Sequence, residues 1–371
     1  SNEPGVNSPK ENRSLYVNSL SKFYCLFGIA GLLLFMGGCG SAATGEKSDK
    51  QAFVDSLLST MSLEAKVGEM TQLTLGAILQ KEKKQIIEPQ EFDSLLAAEA
   101  LVEYQVGSIL NCGDHAHTPA KWHEFITGIQ ERAALKESRI PVLYGIDAIH
   151  GPTYTSGAVL GPQQIGLAAT WNEDLVRKNA AATAEQVAAC GIPWNFSPVL
   201  DLGRDPRWPR FWETFGEDPL LASRLGVAMV DGYQNGEVPF AATLKHFFGY
   251  GFSLSGKDRT PAWIPERELR EYFLPSFKAA IDAGAMSVMV NSGEINGIPV
   301  HANRYLLTDL LRDELGFTGV LVTDWADIEY LYERHMVAED YKEATRMAIE
   351  AGIDMSMVPH DLKFTKALVE L

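Results

Sequence analysis

The amino-acid sequence predicts an α/β fold in which parallel strands alternate with helices. Short apolar runs that end in polar residues recur along the chain, and most are separated by stretches with apolar residues at helical spacing. Strands that are apolar throughout are typical of parallel sheets covered by helices. Eight such runs over about 250 residues favour a closed (β/α)8 barrel. The alternative, an open doubly wound sheet, lacks support because no Gly-x-Gly-x-x-Gly follows any run.

The predicted elements can be placed along the chain from these patterns. The predicted strands are 107–110, 141–147, 166–170, 195–201, 241–246, 287–291, 320–324 and 353–357. The predicted helices are 53–70, interrupted by a capping Ser62, and 172–189, 219–235, 265–283, 303–315 and 342–351.

Composition excludes several classes of protein. The 371 residues include 32 Lys and Arg against 48 Asp and Glu, a formal net charge of −16. We expect no nucleic-acid binding, because phosphate backbones require a basic surface. Hydrophobic residues at 46% and charged residues at 22% are typical of a globular protein, which excludes bulk disorder. Four cysteines are too few for a disulfide scaffold, and whether Cys112 pairs with Cys190 is open at this point.

The first 39 residues are typical of an export signal. An uncharged apolar run at 23–36 follows Arg13 and Lys22, and two glycines lead from the run to Cys39. The run is shorter than the ~20 residues that a membrane-spanning helix requires, so we favour a secretory signal over an uncleaved anchor helix. The position of Cys39 resembles that of the lipidated cysteine in bacterial lipoproteins, which makes it the predicted lipidation site.

The rest of the chain is expected to consist of a tether and one domain. Residues 40–51 are small and polar without periodicity, which predicts a flexible tether. Residues 52–371 then form the barrel domain. The expected location is the periplasm or the cell surface, with the membrane reached only through the lipid anchor.

Candidate functional residues stand where the predicted strands end, because the chemistry of (β/α)8 barrels takes place at the C-terminal ends of the strands. Three strands end in carboxylates, Asp147, Asp201 and Asp324. This ring of acids predicts either a pocket for a polyhydroxylated ligand or a metal site. The other polar residues at strand ends are Lys245, His246 and Asn291.

A charged and aromatic loop at 203–219 follows the strand that ends at Asp201. The loop contains three arginines, four acids, two tryptophans and two phenylalanines. Because buried charges need partners, we expect Asp205, Glu213 and Asp218 to pair with these arginines. One arginine is expected to face the pocket, where its guanidinium can donate to ligand oxygens.

Two local patterns bear on the choice between a sugar pocket and a metal site. Cys112, Asp114, His115 and His117 lie within six residues, but their spacing matches no closed zinc pattern, so no metal is predicted. The sequence Val-Thr-Asp-Trp at 322–325 places a carboxylate at the end of an apolar strand, directly before a large aromatic residue. Such an arrangement suits a nucleophile beneath a wall on which a sugar stacks.

Five short motifs occur in a fixed order along the chain. They are Gly-Ile-Asp-Ala-Ile-His-Gly at 145–151, Gly-Arg-Asp-Pro-Arg-Trp-Pro-Arg at 203–210, Lys-His-Phe at 245–247, Gly-Ile-Pro-Val-His-Ala at 297–302 and Val-Thr-Asp-Trp at 322–325. Together they resemble the N-terminal barrel domain of glycoside hydrolase family 3, the β-glucosidase and exo-β-glucanase type. The resemblance extends from about residue 52 to the C-terminus.

The resemblance implies a retaining, exo-acting β-glycosidase that removes terminal non-reducing β-D-glucosyl residues from oligosaccharides without a cofactor. Asp324 corresponds to the catalytic nucleophile, and Lys245 and Arg210 are expected to lower its pKa by charge attraction. The residues expected to bind the substrate are Asp147, Arg210, Lys245, His246, Trp325, Met289 and Glu294.

Two features depart from the family pattern. Many members carry a tyrosine where Ser292 stands, and the loop at 248–263 lacks the Asp-His pair of the N-acetylglucosaminidase branch. The β-glucosidase branch instead takes its acid/base glutamate from a second α/β domain after the barrel. Since the sequence stops at Leu371, we expect this chain to be a fragment without that domain, with Glu294 as the alternative acid inside the barrel.

Three other functions remain open from the sequence alone. A non-catalytic glycan-binding lipoprotein would explain a missing acid/base residue, but it has no need of a carboxylate at the position of Asp324. A β-xylosidase-like specificity would use the same barrel. A metal-dependent barrel hydrolase would need a cluster of ligands that the sequence does not show.

Overall fold

The computed structural model describes residues 42–83, 85–113 and 115–371, and the statements below concern these ranges. The predicted export signal, with Cys39, lies outside them. The chain divides into two units, residues 1–55 and 56–371. None of the helices in the described ranges is long and apolar enough to cross a membrane.

The first described element is a helix, Ala42–Thr60. It includes residues 42–51, for which the sequence predicted a flexible tether. No proline interrupts this stretch, so its sequence permits a helix. The next helix, Leu63–Glu69, begins at the predicted cap, where the backbone N–H of Ala65 donates to Ser62 Oγ at 3.1 Å.

Eight parallel strands form the barrel. Strands β1 to β7 pair in chain order, and β8 pairs with β1. A bridge between Val322 and Met355 joins β7 to the residues that lead into β8, so the edge strands of the sheet meet. The strands are β1 Thr71–Thr74, β2 Ser108–Leu110, β3 Leu143–Ile146, β4 Trp194–Asn195, β5 Ala241–Phe247, β6 Ser287–Val290, β7 Val320–Val322 and β8 Ser356–Met357.

Seven of these strands overlap the predicted runs, and two differences have physical causes. The prediction of a strand at 166–170 is wrong, because Gln164–Ala168 is a short helix that buries Leu167 and Ala168. Strand β1 was not predicted because it is polar. Its Gln72 is fully buried and donates from Nε2 to Ser108 Oγ at 2.7 Å, so hydrogen bonds replace the apolar side chains that the prediction required.

Helices alternate with the strands, and the bounds of most of them lie close to the predicted ones. Three helical segments have wider, π-type turns, at Glu99–Glu103, Leu269–Phe273 and Tyr305–Glu314. Two short antiparallel hairpins, Lys81–Glu82 with Gln85–Ile86 and Glu294–Ile295 with Ile298–Pro299, lie in the loops. The other helices after β1 are Ser94–Ala98, Pro119–Ala133, Glu173–Ala188, Pro219–Gln234, Glu266–Glu268, Leu274–Asp282, Asp327–Glu333, Tyr341–Ala351 and Lys363–Glu370.

The apolar core has two parts. A large cluster packs the helices on the sheet. A smaller cluster fills the barrel, and its Met289 and Met357 also form part of the wall of a cavity at the C-terminal end of the strands. Its members are Leu110, Trp194, Phe196, Met289, Val322, Met355 and Met357.

Candidate active site

A cavity of about 270 Å³ opens at the C-terminal end of the barrel strands. It brings together all but one of the residues that the sequence predicted to act on or bind the substrate. Ile149, Tyr154, Glu213 and Met357 also line it and were not predicted. The predicted residues in its wall are Asp147, Arg210, Lys245, His246, Met289, Asp324 and Trp325.

Asp324 follows β7 and holds its carboxylate in the cavity wall, where the residue is 8% exposed. Its Oδ2 accepts from Ser292 Oγ at 2.8 Å, and its Oδ1 accepts from the backbone N–H of Trp325 at 2.6 Å. Ser292 therefore binds the carboxylate from the position where many members of the resembled family carry tyrosine. Both oxygens of the carboxylate are held in a fixed orientation.

Cations keep this carboxylate ionised. Arg259 Nη2 lies 3.5 Å from Asp324 Oδ1. Burial by itself would raise the pKa of Asp324, but the surrounding charge, above all the guanidinium of Arg259 and with a smaller contribution from Arg210, outweighs burial and holds that pKa well below its usual range. Arg210 was expected in this role and Arg259 was not. Lys245, the other expected cation, pairs instead with Asp147.

Asp147 and Lys245 form an ion pair in the cavity wall, with Lys245 Nζ 2.6 Å from Asp147 Oδ1. Asn111 fixes the same carboxylate, because its Nδ2 donates to Asp147 Oδ2 at 2.9 Å and its Oδ1 accepts from the backbone N–H of Asp147 at 2.9 Å. Lys245 is 2% exposed, whereas Asp147 keeps part of its side chain open to the cavity. The pair can therefore offer both a donor and an acceptor to ligand hydroxyls.

His246 belongs to a chain of hydrogen bonds that starts at Asp201. Its Nδ1 lies 2.7 Å from Asp201 Oδ2, and its Nε2 lies 3.1 Å from Arg210 Nη1. Because a guanidinium can only donate, Nε2 is the acceptor and Nδ1 carries the proton. Burial lowers the pKa of His246, consistent with this neutral ring, and burial raises the pKa of Asp201 to about 8. Asp201, which lies in the loop after β4, orients His246.

Consecutive residues of β5 reach the same site. Alternation along a strand would send Lys245 and His246 to opposite faces. The register of β5 against β6 shifts between Leu244 and Phe247, so regular alternation is interrupted at these two residues. Both side chains line the cavity as a result.

The loop at 203–219 leaves one arginine facing the cavity, as predicted. Arg210 donates to Glu213 from Nε at 2.9 Å and from Nη2 at 2.7 Å, while it lines the cavity. Arg207 Nη2 lies 2.7 Å from Asp205 Oδ2, and neither residue lines the cavity. The expected pairing of Asp218 is wrong, since this residue caps helix Pro219–Gln234 by accepting from the N–H of Leu221.

Glu294 does not line the cavity. It lies at the start of a hairpin, and its Oε1 is 2.7 Å from His335 Nδ1. A side chain engaged with a buried histidine is not aimed at the substrate pocket. The structure thus separates Glu294 from the other predicted substrate-binding residues.

Trp325 lies between the substrate cavity and a second cavity of about 320 Å³. Tyr154 also borders both. The Trp325 indole packs edge-on against the ring of His360, with centroids 5.3 Å apart. The predicted aromatic wall is therefore present and is fixed from its far side.

The cysteine and histidine segment near residue 112 is packed into the protein. Cys112 Sγ donates to the carbonyl of His115 at 3.0 Å, and the ring of His117 packs edge-on against Trp122 and Phe125. Asp114 lies outside the described residues. Within the described ranges, no group of three or more His, Cys, Asp or Glu side chains could hold a metal ion.

Cys112 and Cys190 do not form a disulfide with each other. Cys190 carries a free thiol whose Sγ donates to the carbonyl of Gln186 at 3.5 Å. The pairing with Cys112 that the sequence left open is therefore absent.

The fold and the cavity define a (β/α)8 barrel protein with an oriented, ionised carboxylate in a pocket of charged hydrogen-bonding groups. Residues 62–371 match the family model described as glycosyl hydrolase family 3 N terminal domain. The chain belongs to this family.

Curated relatives and solved structures agree with the family match. The chain is 45% identical to the lysosomal beta glucosidase of Dictyostelium discoideum over 87% of its own length and 41% of that protein. It is 32% identical to the periplasmic beta-glucosidase of Salmonella typhimurium over 91% of the chain and 42% of the relative. It is 40% identical to a beta-xylosidase of Formosa agariphila over 62% of the chain and 33% of the relative.

The fold also matches a solved structure, the beta-glucosidase from Listeria innocua in complex with isofagomine. The TM-score is 0.72 at 34% identity, covering 86% of this chain and 42% of that one. The chain therefore spans less than half the length of these relatives.

Proposed function

We propose that this chain supplies the nucleophile and the first sugar subsite of a retaining, exo-acting β-glucosidase. The names of the Dictyostelium, Salmonella and Listeria relatives support this activity. The observation that carries the proposal is the state of Asp324, a carboxylate kept ionised and held by two hydrogen bonds in the wall of a polar pocket.

The pocket suits a single terminal sugar. Its volume of about 270 Å³ lies just below the ~300–1,000 Å³ typical of sites for drug-sized ligands. Asp147, Lys245, Arg210 and His246 line it with donors and acceptors that can bind the hydroxyls of a pyranose. Trp325 offers an aromatic face to the apolar side of the ring.

The proposed chemistry is a two-step displacement at the anomeric carbon. An oxygen of Asp324 forms a bond to that carbon while the bond to the glycosidic oxygen breaks, and the departing oxygen takes up a proton. Water then attacks the same carbon, loses a proton and releases the sugar, which restores the carboxylate. Ionisation of Asp324 by Arg259 and Arg210 supplies the reactive form of the nucleophile at neutral pH.

The proton for the leaving group is proposed to come from the predicted second domain. Besides Asp324, the carboxylates in the described cavity wall are Asp147 and Glu213. Each is engaged in an ion pair, Asp147 with Lys245 and Glu213 with Arg210. Glu294 lies outside the wall.

This proposal is tested with two substrates on the 371-residue chain. We expect turnover of a nitrophenyl β-glucoside, whose phenolate leaves without protonation, and far slower hydrolysis of cellobiose, whose alkoxide needs a general acid. Asp324→Asn is the inactive control, and a fluoro-sugar label should map to Asp324. Efficient cellobiose hydrolysis that is lost in Glu294→Gln and rescued by azide would place the acid inside this chain.

The same assay separates the alternatives. The Formosa relative is named a beta-xylosidase, so a nitrophenyl β-xyloside is included as a second substrate. Faster turnover of the xyloside than of the glucoside would indicate that the protein is a xylosidase and not a glucosidase. Sugar binding without turnover or labelling would favour a glycan-binding protein.

We also propose export and a lipid anchor at Cys39. The periplasmic Salmonella relative and the apolar run at 23–36 support export, and the small residues before Cys39 support lipidation. Labelling with a fatty-acid analogue in cells should modify the protein but not its Cys39→Ser variant. Equal labelling of both would disprove the anchor.

A further inference from the structure

Arg259, Asp327 and His301 surround the carboxylate of Asp324 but do not line the substrate cavity. Of the three, the chemistry proposed above uses only Arg259, whose charge helps to keep Asp324 ionised. All three are largely buried, with Asp327 at 2% exposure. A buried charged cluster is costly unless its members are paired, so its geometry needs an explanation.

One guanidinium serves two carboxylates in this cluster. Arg259 donates from Nη1 to Asp327 Oδ1 at 2.7 Å and to the carbonyl of Trp325 at 3.4 Å, while its Nη2 lies 3.5 Å from Asp324 Oδ1. The fork geometry of a guanidinium makes this bridge possible, and an ammonium group could not reproduce it. Arg259 therefore fixes the nucleophile relative to the helix that follows it.

The backbone that carries Arg259 is itself well held. Thr260 Oγ1 donates to the carbonyl of Lys257 at 2.8 Å, and the N–H of Leu254 donates to the carbonyl of Pro261 at 3.0 Å. The N–H of Ala262 donates to the carbonyl of Glu294 at 2.9 Å. The loop is thus tied to itself and to a neighbouring hairpin on both sides of Arg259, which limits the positions that the guanidinium can take.

The two carboxylates differ in their affinity for a proton. Burial, followed by the negative charge of Asp324, raises the pKa of Asp327 to about 7, whereas the pKa of Asp324 is lowered. A proton taken up by this pair near neutrality therefore goes to Asp327, and Asp324 remains an anion.

We propose that Arg259 is a positioning residue, whose guanidinium, held by Asp327, orients the Asp324 carboxylate and keeps it ionised for attack. This role rests on the proposed function of Asp324 as the nucleophile. The charged and titratable groups that face Asp324 from all neighbouring elements are Arg210, His246, Tyr250, Arg259, His301 and Asp327.

The test measures the rate at which an activated 2-deoxy-2-fluoro-glucoside labels the enzyme as a function of pH. This reaction reports attack by Asp324 and needs no general acid. In Arg259→Gln we expect labelling at neutral pH to slow by about 10- to 100-fold, as for loss of a charged hydrogen bond to a reacting group. The acid limb of the profile should move up by about one to two pH units, because loss of the cation raises the pKa of the nucleophile.

Arg259→Lys keeps the positive charge, so it still tests the proposal if Arg259→Gln fails to fold. Its acid limb should stay close to that of the parent, while labelling remains slower because an ammonium cannot hold both carboxylates. The matched control is Arg207→Gln, which removes an exposed arginine paired with Asp205 outside the cavity. Its rate and profile should equal those of the parent.

Two results overturn the proposal in distinguishable ways. If the parent enzyme is labelled on Asp324 and Arg259→Lys or a folded Arg259→Gln shows the parent rate and profile, Arg259 has no positioning role. If the parent enzyme is not labelled at Asp324, the nucleophile assignment fails, and the role of Arg259 fails with it.

Discussion

The two ends of the barrel are built from the same strands but differ in chemistry. At the C-terminal end, Lys245, His246 and Asp324 are buried and paired in a network of charges. At the N-terminal end, the strands open onto an apolar cavity of about 320 Å³. The residues that line this second end are Leu143, Pro193, Trp194, Pro239, Phe240, Ala241, Met286, Ser287 and Val320.

The difference shows that the fold accepts the free-energy cost of buried charges at the C-terminal end of the barrel. Burying charge costs several kcal/mol per ion, and the buried ions at the C-terminal end are paired, Lys245 with Asp147 and Arg259 with both Asp324 and Asp327. At the N-terminal end the requirement is to fill space and satisfy single polar atoms, as when Trp194 Nε1 donates to Thr243 Oγ1 at 2.8 Å. Substitutions at the two ends should therefore affect different quantities, turnover at one and stability at the other.

The largest expected effect is at Asp324. In Asp324→Asn, aryl β-glucoside turnover should fall by about 10⁴-fold or more, the scale seen when a covalent nucleophile is removed. The protein should stay folded but its melting temperature should fall, since the lowered pKa of Asp324 means that the ionised carboxylate stabilises the folded state and the amide leaves the Arg259 guanidinium with one carboxylate fewer. Steady-state kinetics and thermal melts on the same preparation check this, and substantial residual turnover would assign the nucleophile elsewhere.

The opposite end is tested by Trp194, which is 4% exposed in the barrel interior. Trp194→Ala should lower the free energy of unfolding by about 3–5 kcal/mol, while the KM of the folded protein stays unchanged. Denaturant titration measures the first and kinetics at low temperature the second. If truncation proves too disruptive, Trp194→Phe should give a smaller loss of the same kind. A raised KM with intact stability would contradict the division between the two ends.

A smaller effect on catalysis is expected when either member of the Asp147–Lys245 ion pair in the cavity wall is removed. Asp147→Ala and Lys245→Ala should each weaken transition-state binding of a glucoside by roughly 1.5–3 kcal/mol. Because each removes the partner of the other, the double variant should lose less than the sum of the two. The ratio kcat/KM for the two single variants and the double variant gives the coupling, and additive losses would show that the groups act independently.

The smallest expected effect is that of the Ser292 hydroxyl, which donates to Asp324 at 2.8 Å. Ser292→Ala removes one hydrogen bond to the carboxylate, worth about 0.5–1.5 kcal/mol. Since that bond favours the anion, its loss should raise the pKa of Asp324 and move the acid limb of the kcat/KM profile to higher pH. A profile identical to that of the parent would mean that the contact does not affect ionisation.

The strand pattern and the strand-end residues were accessible from the sequence because they depend on local order. Apolar runs located seven barrel strands, and the rule that chemistry sits at strand ends selected Asp147, Lys245, His246 and Asp324. The search for apolar runs failed for β1, because this strand is polar and its buried Gln72 donates instead to Ser108 of the neighbouring strand.

Only the tertiary structure decided which charges share a partner. Arg259 stands 65 positions before Asp324 in the chain, in a loop that the sequence marked only for lacking an Asp-His pair, yet its guanidinium lies 3.5 Å from that carboxylate. Glu294, two positions after Ser292, turns instead to His335. The sequence determines which residue types occupy the rim, because strand alternation and apolar burial are local. Ion pairing depends on the packing of distant loops, since Coulomb attraction in a buried site acts over a few ångströms of space regardless of separation along the chain.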